Sequence, residues 1–557
     1  MEAQPQTWDE IVDVVVVGTG ASGLTAAIRA ADAGSKVIIL EKSEFIGGTS
    51  AVSGGVVWVP MNDHMPGVGI EDNREDALAY VRRLSSARAA DPELIELCVD
   101  RGAEMLAYLE ARTPLRMVAM QKFADYYDAY DFPGKRPGGR SCEPLPFPVG
   151  KQLPEWSARI AFKVAIRGQA ARNMVAEDYG QIPRDPDELA RREREDERTK
   201  GSGLVAALFK GVLDRGIEVR METRAESLIG EAGEIVGIRS IDADGVSRSI
   251  ATNNGVVLAS GGFEWNRELV DAFIGYELYP VSPTHNTGDG HIMGMEAGAL
   301  LGNMHSYWGT GAMVDPSVLT DGQAMPTFDE ARAGKGTLIV NRNGDRFVNE
   351  AVPYHDFAKA FGAFDPSTSD FPNEVAWMIF DARLREAKQL LSMKPGDPTP
   401  DWIPTGATLA ELADRLGIPA DRLEATVSQF NEFAEAGHDP LFDRPRGMKG
   451  SRIGVVDAGP FYAVRIYPGT LGTNGGLRTN AAGEVRRSRG GVVPGLFAVG
   501  NVAASPLGWG YPGGGATLWV GMTMAYLAGD AAGHRTVRAR ATNATNQPIL
   551  VGGAKES

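Results

Sequence analysis

The chain has 557 residues, 43% of them hydrophobic and 23% charged, which is enough for two or three globular domains. A formal net charge of −16 argues against a nucleic-acid partner, and only two cysteines exclude a disulfide framework or a cysteine-rich metal site. No metal site is expected. The acidic N-terminus lacks the basic and apolar regions of a secretory signal, and no apolar run approaches the roughly 20 residues of a membrane span. These features predict a cytoplasmic protein, with peripheral membrane attachment left open.

The start of the chain predicts a nucleotide-binding unit. Residues 14–17 are an apolar run typical of a parallel strand that is buried on both faces, and residues 21–33 predict a helix. Between them, Gly18, Gly20 and Gly23 form a G-x-G-x-x-G turn. Such a turn allows the backbone and the helix N-terminus to approach a pyrophosphate.

The next segments indicate which cofactor is bound. A second predicted strand at 36–40 precedes Glu41, whose carboxylate would accept hydrogen bonds from ribose hydroxyls. The glycine-rich segments 47–50 and 53–55 extend the predicted phosphate-binding surface beyond what a nicotinamide cofactor needs. This arrangement resembles the FAD-binding fold of the succinate dehydrogenase and fumarate reductase flavoprotein superfamily. We therefore expect FAD as the cofactor.

Apolar spacing predicts helices within 72–112, whereas 123–148 is rich in Gly, Pro and aromatic residues and predicts a loop. Residues 151–200 are interpreted as a surface insertion. Its apolar residues share one helical face and its cations stand out in an acidic chain: Trp156, Ile160, Ala161, Val164 and Ala165, with Lys151, Arg159, Lys163, Arg167 and Arg172. The segment could contact an anionic membrane surface, or it could be a solvated helix that packs on its own domain.

The rest of the chain completes the domain plan. We predict a helix at 204–215, an antiparallel layer with turns at 231–234 and 242–245, and helices within 409–436. The predicted fold is α/β, with a Rossmann-like FAD-binding domain and an inserted α+β catalytic domain that caps the substrate. The expected boundaries are 1–301 and 461–538 for the FAD-binding domain, 302–460 for the capping domain and 539–557 for a loosely ordered tail.

Several motifs spread over nearly the whole chain resemble one family. The motifs are GTGASG, GGTS, NTGDG, RFVNEAVPYHDF, PGTLGTNGGL, GLFAVGN and GYPGGGATL. Together they resemble the FAD-dependent 3-ketosteroid Δ1-dehydrogenases. The resemblance implies an oxidoreductase of steroid or sterol degradation, which removes hydrogen from C1 and C2 of a 3-ketosteroid and passes electrons to an external acceptor.

The resemblance also implies catalytic roles. Tyr354 would take the C2 proton as general base, and Tyr511 with the backbone N–H of Gly515 would donate hydrogen bonds to the C3 carbonyl oxygen. Tyr126 would hydrogen-bond Tyr354 and ease its deprotonation, although its neighbour Tyr127 is an alternative for this position. The hydride from C1 would pass to flavin N5. Family members often have proline at the position of Gly514.

The cofactor-binding residues implied by the motifs lie in several short segments. They are Gly18, Gly20, Ala21, Ser22, Gly23, Glu41, Lys42, Gly48, Thr49, Ser50, Ser53, Gly54, Gly55, Ala225, Ser260, Gly261, Asn286, Thr287, Asp289, Gly500, Asn501, Thr517 and Leu518.

Three other functions are compatible with this fold. A fumarate reductase-like enzyme would need arginines for its dicarboxylate, and this chain has Tyr354 and Tyr511 at the corresponding positions. A 3-ketosteroid Δ4-(5α)-dehydrogenase could use Tyr467, and a flavin-binding protein without catalysis is a third possibility. The expected apolar pocket wall is formed by tryptophans, with four candidates: Trp58, Trp308, Trp509 and Trp519.

Overall fold

The computed structural model describes residues 2–3, 7–85, 89–160, 172–320, 323–328, 331–448 and 451–535. The predicted tail at 539–557 lies outside these ranges, as do five residues of the predicted amphipathic segment: Ala161, Lys163, Val164, Ala165 and Arg167.

The first sheet combines strands from both ends of the chain. At its centre, Glu10–Val17 pairs in parallel with Val37–Leu40 and with Ser247–Leu258. Val492–Ala498 pairs in parallel with the end of Ser247–Leu258. The valines of the first strand are buried, as expected for a strand covered on both faces. The other strands of this sheet are Glu2–Ala3, Glu218–Arg220, Arg224–Glu231, Glu234–Ile241 and Glu484–Arg486.

Two helices pack together on one face of this sheet. The first, Ala21–Asp32, follows the glycine turn as predicted, and Ala516–Gly533 is the last helix of the described chain. They approach closely because small residues face each other: a Cβ on Gly529 would lie 2.5 Å from the carbonyl oxygen of Ala26. This packing brings the N-terminus of the last helix beside the N-terminal glycine turn.

The chain also forms a second, separate sheet. Its strands, in order across the sheet, are Gln323–Phe328, Tyr307–Thr320, Phe461–Thr473, Ala376–Asp381 and Thr337–Asn341, and the short strands Tyr279–Pro280 and Thr405–Gly406 also pair with the central one. The helices Leu409–Leu416 and Ala420–Ala436 confirm the predicted helical region and pack beside this sheet.

The central strand of the second sheet differs from the expectation. The sequence pattern assigned residues from 461 onward to the FAD-binding domain, but Phe461–Thr473 pairs antiparallel with Tyr307–Thr320 and Ala376–Asp381. Most of its residues are buried. A strand of this kind has the same local pattern in either sheet, so only its partners decide which sheet it joins. The exact domain boundaries stay a prediction.

A smaller correction concerns the predicted loop at 123–148. Its end contains the strand Ser141–Pro144, which pairs with Val57–Trp58 and Met117–Ala119. This strand includes a proline and lies among turn residues, so its composition resembles a loop. Two further small sheets pair Leu301–Gly302 with Gly476–Leu477, and Phe147–Pro148 with Glu197–Arg198.

The remaining helices connect or cover the two sheets. They are Gly48–Val52, Arg74–Leu84, Pro92–Arg112, Val149–Gln152, Val175–Asp178, Pro186–Arg194, Lys200–Leu213, Arg267–Phe273, Asp289–Glu296, Tyr354–Lys359 and Ala382–Ala387, with 3₁₀ turns at Pro66–Val68, Pro154–Ile160, Ala360–Gly362, Pro372–Glu374 and Gly500–Val502. Along the described parts of the chain, no helix combines the length and apolar character needed to cross a bilayer.

Candidate active site

A cavity of about 680 Å³ runs between the two sheets. On one side it is lined by residues at the carboxyl ends of the parallel strands, including Val17, Leu40 and Ala259. On the other side it is lined by residues of the second sheet, such as Met325 and Leu471. Open α/β sheets bind ligands at this edge of their strands. The cavity is therefore the candidate active site.

Three tyrosine hydroxyls meet at the cavity wall. The hydroxyl of Tyr126 donates to that of Tyr354 at 2.9 Å, and the hydroxyl of Tyr354 donates to that of Tyr511 at 3.0 Å. Tyr354 is the first residue of the helix Tyr354–Lys359, and Tyr511 precedes the last helix. These predicted residues come from three distant segments, and the structure brings all of them together, with Gly515 also on the cavity wall.

The structure distinguishes between the two neighbouring tyrosines. Tyr126 lines the cavity, and its backbone N–H donates to the carbonyl oxygen of Pro512 at 3.1 Å. The hydroxyl of Tyr127 instead donates to the carboxylate of Asp356. Tyr126 is thus the member of the pair that faces the cavity.

Tyr354 is a neutral phenol in this arrangement. Burial, together with the neighbouring Tyr126 and Tyr511, raises the pKa of its hydroxyl well above the usual value. Ionisation of Tyr354 to a phenolate would cost free energy at this buried position. Because the phenol is neutral, Tyr354 can accept a proton only if it passes its own hydroxyl proton to a neighbour.

His355 is a close neighbour of the three tyrosines that the sequence motifs did not single out. Burial lowers the pKa of His355 to about 3, so the ring is neutral at neutral pH. Its Nδ1 accepts the Gly309 N–H at 3.1 Å, which leaves Nε2 to donate to the carbonyl oxygen of Trp509 at 3.1 Å. The ring also stacks on Tyr511, with centroids 5.3 Å apart. His355 therefore orients Tyr511 without adding a positive charge.

The apolar wall of the cavity is aromatic, but its residues are not the expected ones. Phe123 contacts Tyr126 and Tyr179, and Phe328 packs edge-on against Tyr354 with ring centroids 5.1 Å apart. None of the four candidate tryptophans lines the described cavity. Trp58, Trp308 and Trp519 are buried in the core and donate their indole N–H groups to protein acceptors, whereas Trp509 is 43% exposed.

Known proteins are similar to this chain in sequence and fold. A family model for an FAD binding domain matches residues 13–518. A 4-oxocyclohexanecarboxylate 2-dehydrogenase from Sinomonas cyclohexanicum is 38% identical across 93% of this chain and 92% of its own length. A 3-oxosteroid 1-dehydrogenase from Mycobacterium tuberculosis is 34% identical across 94% of this chain and 99% of its own. The chain belongs to the family of FAD-dependent dehydrogenases that includes the 3-oxosteroid 1-dehydrogenases.

A solved structure supports the same assignment. The 3-ketosteroid Δ1-dehydrogenase from Sterolibacterium denitrificans, crystallised with 1,4-androstadiene-3,17-dione, matches with a TM-score of 0.84 at 28% identity. The match covers 94% of this chain and 99% of that one. The predicted α/β fold, with an FAD-binding domain and a capping domain, is confirmed. The protein is an FAD-dependent oxidoreductase.

The cavity wall fits FAD. The hydroxyls of Ser202, Ser260 and Thr517 are buried at this wall and make no hydrogen bond to any described residue. An unsatisfied buried hydroxyl costs about 1–3 kcal/mol, and FAD carries phosphate and ring acceptors that could satisfy such groups. Gly18 and Gly23 form the expected cradle: a Cβ on Gly23 would lie 2.1 Å from the carbonyl oxygen of Gly18.

Most of the predicted cofactor-binding residues line the cavity, and three do not. The N–H of Ala21 donates to the Ser50 hydroxyl at 3.1 Å, and Gly23 supports the close packing of helix and strand. The hydroxyl of Thr287 accepts from the Lys42 ammonium at 2.7 Å and lies behind the wall. The individual roles of all these residues stay predictions.

Glu41 lines the cavity at the predicted position, but both of its oxygens already accept hydrogen bonds. Oε2 accepts from the backbone and hydroxyl of Thr19, and Oε1 accepts from the N–H of Ser43. A carboxylate can accept about four hydrogen bonds, so capacity for ribose hydroxyls is left. Thr19 lies inside the GTGASG motif, and its hydroxyl also accepts the N–H of Gly47. It thereby joins the two glycine turns, a role that the motif pattern did not reveal.

The predicted surface insertion contributes to the cavity. Val175, Asp178, Tyr179 and Lys200 line it, and the ammonium of Lys200 lies 2.5 Å from the carboxylate of Asp178. The periodicity that suggested a surface helix contained no signal for this role. The side chains of Arg159 and Arg172 form ion pairs with Glu222 and Asp196, respectively. The first pair joins the insertion to the strand region beyond it, whereas the second lies within the insertion.

Glu143 anchors this part of the wall. Its carboxylate accepts the backbone N–H groups of Val175 and Ala176 at 2.6 and 3.1 Å. Burial raises the pKa of Glu143 to about 7, although these hydrogen bonds act in the opposite direction. Ionisation of Glu143 therefore costs more in the native protein than in the unfolded chain.

This pKa predicts a pH-dependent stability. Since the native pKa exceeds the unfolded value, the contribution of Glu143 is fully present below about pH 4 and is lost as the pH rises through about 7. Between pH 5 and pH 8, we expect the free energy of unfolding to fall by about 2 kcal/mol relative to Glu143→Gln. Denaturant unfolding of both holoproteins at several pH values measures the difference. If the free energies of unfolding of the wild type and of Glu143→Gln change equally with pH, Glu143 does not titrate in this range.

Proposed function

We propose that this chain catalyses the FAD-dependent Δ1-dehydrogenation of a 3-ketosteroid in steroid or sterol degradation. A hydride leaves C1, a proton leaves C2, and a double bond forms between these carbons. The observation that carries the proposal is the hydrogen-bonded series of Tyr126, Tyr354 and Tyr511 at an aromatic cavity wall. An external electron acceptor must then reoxidise the cofactor.

In the proposed mechanism, Tyr354 takes the C2 proton while Tyr511 and the N–H of Gly515 bind the C3 carbonyl oxygen. A C–H group next to a ketone becomes acidic only if the negative charge developing on that oxygen is stabilised. Tyr354 passes its own proton to Tyr511, and Tyr511 passes its proton to the carbonyl oxygen. The substrate becomes an enol and each tyrosine ends neutral, which avoids the buried phenolate that the raised pKa of Tyr354 disfavours.

Hydride loss completes the reaction. The N-terminal glycine turn, Glu41 and the hydroxyls of Ser260 and Thr517 would hold FAD, which when bound would supply the hydride acceptor, its N5 atom. The enol releases its proton to solvent as the C1–C2 double bond forms and the C3 carbonyl is restored. Tyr126 donates to Tyr354 throughout and limits the charge that develops on its oxygen.

Two alternatives have less support. Among the described residues, the cavity wall contains no arginine, and its lysines, Lys42 and Lys200, are paired with Asp289 and Asp178. A dicarboxylate such as fumarate would therefore lack its usual partners. Tyr467, the candidate residue for Δ4-dehydrogenation, does not line the cavity and stacks on Tyr279, with ring centroids 4.0 Å apart.

A second candidate substrate is a small cyclic ketone that carries a carboxylate. The relatives named 4-oxocyclohexanecarboxylate 2-dehydrogenase and 4-oxocyclohex-2-ene-1-carboxylate 5-dehydrogenase are 38% and 31% identical to this chain. Their names describe ring ketones, for which the same tyrosines could remove a proton next to the carbonyl. A carboxylate could reach Lys200 only by competing with Asp178.

Anaerobic mixing of the holoprotein with each ketone tests the proposal. We expect androst-4-ene-3,17-dione to bleach the oxidised-flavin absorbance and to yield the Δ1 product, identified by mass spectrometry and NMR. Bleaching by 4-oxocyclohexanecarboxylate alone would replace the steroid with the smaller ketone. Unchanged absorbance with both substrates would contradict the proposed chemistry.

A further inference from the structure

Tyr127, Asp356 and Lys359 lie outside the cavity wall, yet they contact all three segments that carry the active-site tyrosines. We propose that these three residues form an outer brace that positions Tyr126, Tyr354 and Tyr511 for proton transfer. This inference rests on the proposed function, because it assigns positioning residues to that reaction.

The first link of the outer brace joins the Tyr126 loop to the Tyr354 helix. Tyr127 directly follows Tyr126, and its hydroxyl donates to the carboxylate of Asp356. Asp356 lies two residues after Tyr354 in the helix Tyr354–Lys359. Burial acts to raise the pKa of Asp356, but the charge of Lys359 and the hydrogen bonds from Tyr127 and Lys359 hold it below its usual value. Asp356 is therefore an ionised acceptor at neutral pH.

The second link joins the same helix to the Tyr511 segment. The ammonium of Lys359 lies 3.0 Å from Asp356 Oδ1 and donates to the carbonyl oxygen of Trp509 at 2.8 Å. It also lies over the Trp509 indole, 5.3 Å from the ring centroid. Trp509 is two residues before Tyr511, so this contact restrains the position of the Tyr511 backbone.

A third link closes the arrangement. The N–H of Tyr126 donates to the carbonyl oxygen of Pro512, which directly follows Tyr511. Each pair of segments that carry Tyr126, Tyr354 and Tyr511 is thereby joined by a contact that does not involve the hydroxyls of these three tyrosines. Proton transfer depends steeply on donor–acceptor distance, and a misplacement of about 1 Å can cost roughly a hundredfold in rate. The outer brace is placed to maintain the hydroxyl separations of 2.9 and 3.0 Å.

Tyr127→Phe tests the brace by removing one hydroxyl and keeping the ring. We expect kcat to fall at least about tenfold, with KM and FAD content nearly unchanged. The isotope effect on kcat with substrate deuterated next to the ketone should increase, because proton removal becomes more strongly rate-limiting. A loss of folded enzyme would lower the rate without changing this isotope effect. Tyr130→Phe is the matched control, since Tyr130 lies in the same loop with its ring against Tyr127.

Two further variants test whether Tyr127 and Asp356 act through one contact. Asp356→Asn retains an acceptor oxygen for Tyr127 and should be milder than Asp356→Ala. The double variant Tyr127→Phe/Asp356→Asn should lose no more than the more damaging single variant if the residues act through one contact. The proposal of the outer brace would be overturned if the losses of kcat in the two single variants add up in the double variant. It would also be overturned if Tyr127→Phe has the kcat and isotope effect of the wild type. If Tyr127→Phe does not fold, Lys359→Gln tests the second link with the same measurements.

Hydrogen exchange separates failure of the brace from failure of the proposed function. In the holoprotein, Tyr127→Phe should accelerate amide exchange at residues 124–130, whereas the last helix should exchange as in the wild type. If the wild-type protein oxidises neither ketone, the proposed function fails and this exchange pattern alone decides whether the brace exists. Unchanged exchange in the loop would then overturn it.

Discussion

Replacing Tyr354 by Phe is expected to lower the rate of flavin reduction by the ketone about 10³-fold, while FAD stays bound. The phenyl ring keeps its contact with Phe328, but the oxygen that would receive the substrate proton is gone. Tyr126 and Tyr511 also lose their shared hydrogen-bond partner. Rapid mixing under anaerobic conditions gives the rate, and the flavin spectrum of the purified variant gives the cofactor content.

Tyr276→Phe is the matched control for this experiment. The hydroxyl of Tyr276 hydrogen-bonds that of Tyr307 at 2.8 Å, and neither residue lines the cavity. This variant also breaks a tyrosine–tyrosine hydrogen bond, so its rate should remain close to that of the wild type. A Tyr354→Phe enzyme with normal activity would refute the base assignment.

Replacing Tyr511 by Phe is expected to lower the rate at least about 10²-fold, since the loss of one oxyanion donor alone costs roughly 3 kcal/mol of barrier. The ring keeps its contacts with Trp308 and His355, so the variant should fold and retain FAD. In the proposed mechanism, the N–H of Gly515 still donates to the carbonyl oxygen, but Tyr354 loses the hydroxyl that takes up its proton, so the loss should approach that for Tyr354. The same rapid-mixing measurement tests it.

The cofactor content of the Tyr511→Phe protein separates two roles. If FAD is lost together with activity, Tyr511 supports the cofactor site and is not a specific donor to the substrate. If FAD is retained but binding of the dienone product weakens in proportion to the rate, Tyr511 binds the ketone equally in ground and transition states.

The cofactor-binding unit could be predicted from local sequence because its requirements are local. The turn needs glycine where a Cβ would collide with a neighbouring backbone, as at Gly18 and Gly23. The predicted helix at 21–33 corresponds closely to Ala21–Asp32, and the predicted strand at 14–17 is the second half of Glu10–Val17. The three tyrosines were also identified from short motifs, since each motif is continuous in the chain.

Several features of the site could not be predicted because they depend on distant contacts. The choice between Tyr126 and Tyr127 is set by Asp356, more than 200 residues away along the chain. The tryptophans were expected at the pocket wall from residue type alone, yet three are core residues. The insertion lines the cavity through Val175–Asp178, whose position depends on hydrogen bonds to Glu143.

By itself, the sequence determined the cofactor class, the fold class and the residue types of the site, because glycine turns, apolar strands and family motifs are local properties. Only the tertiary structure decided that Phe461–Thr473 joins the second sheet, which hydroxyls meet in the cavity and what positions them. The physical reason is that strand pairing and hydroxyl contacts join residues far apart in the chain. Their geometry depends on the packing of both partners, and no single segment encodes it.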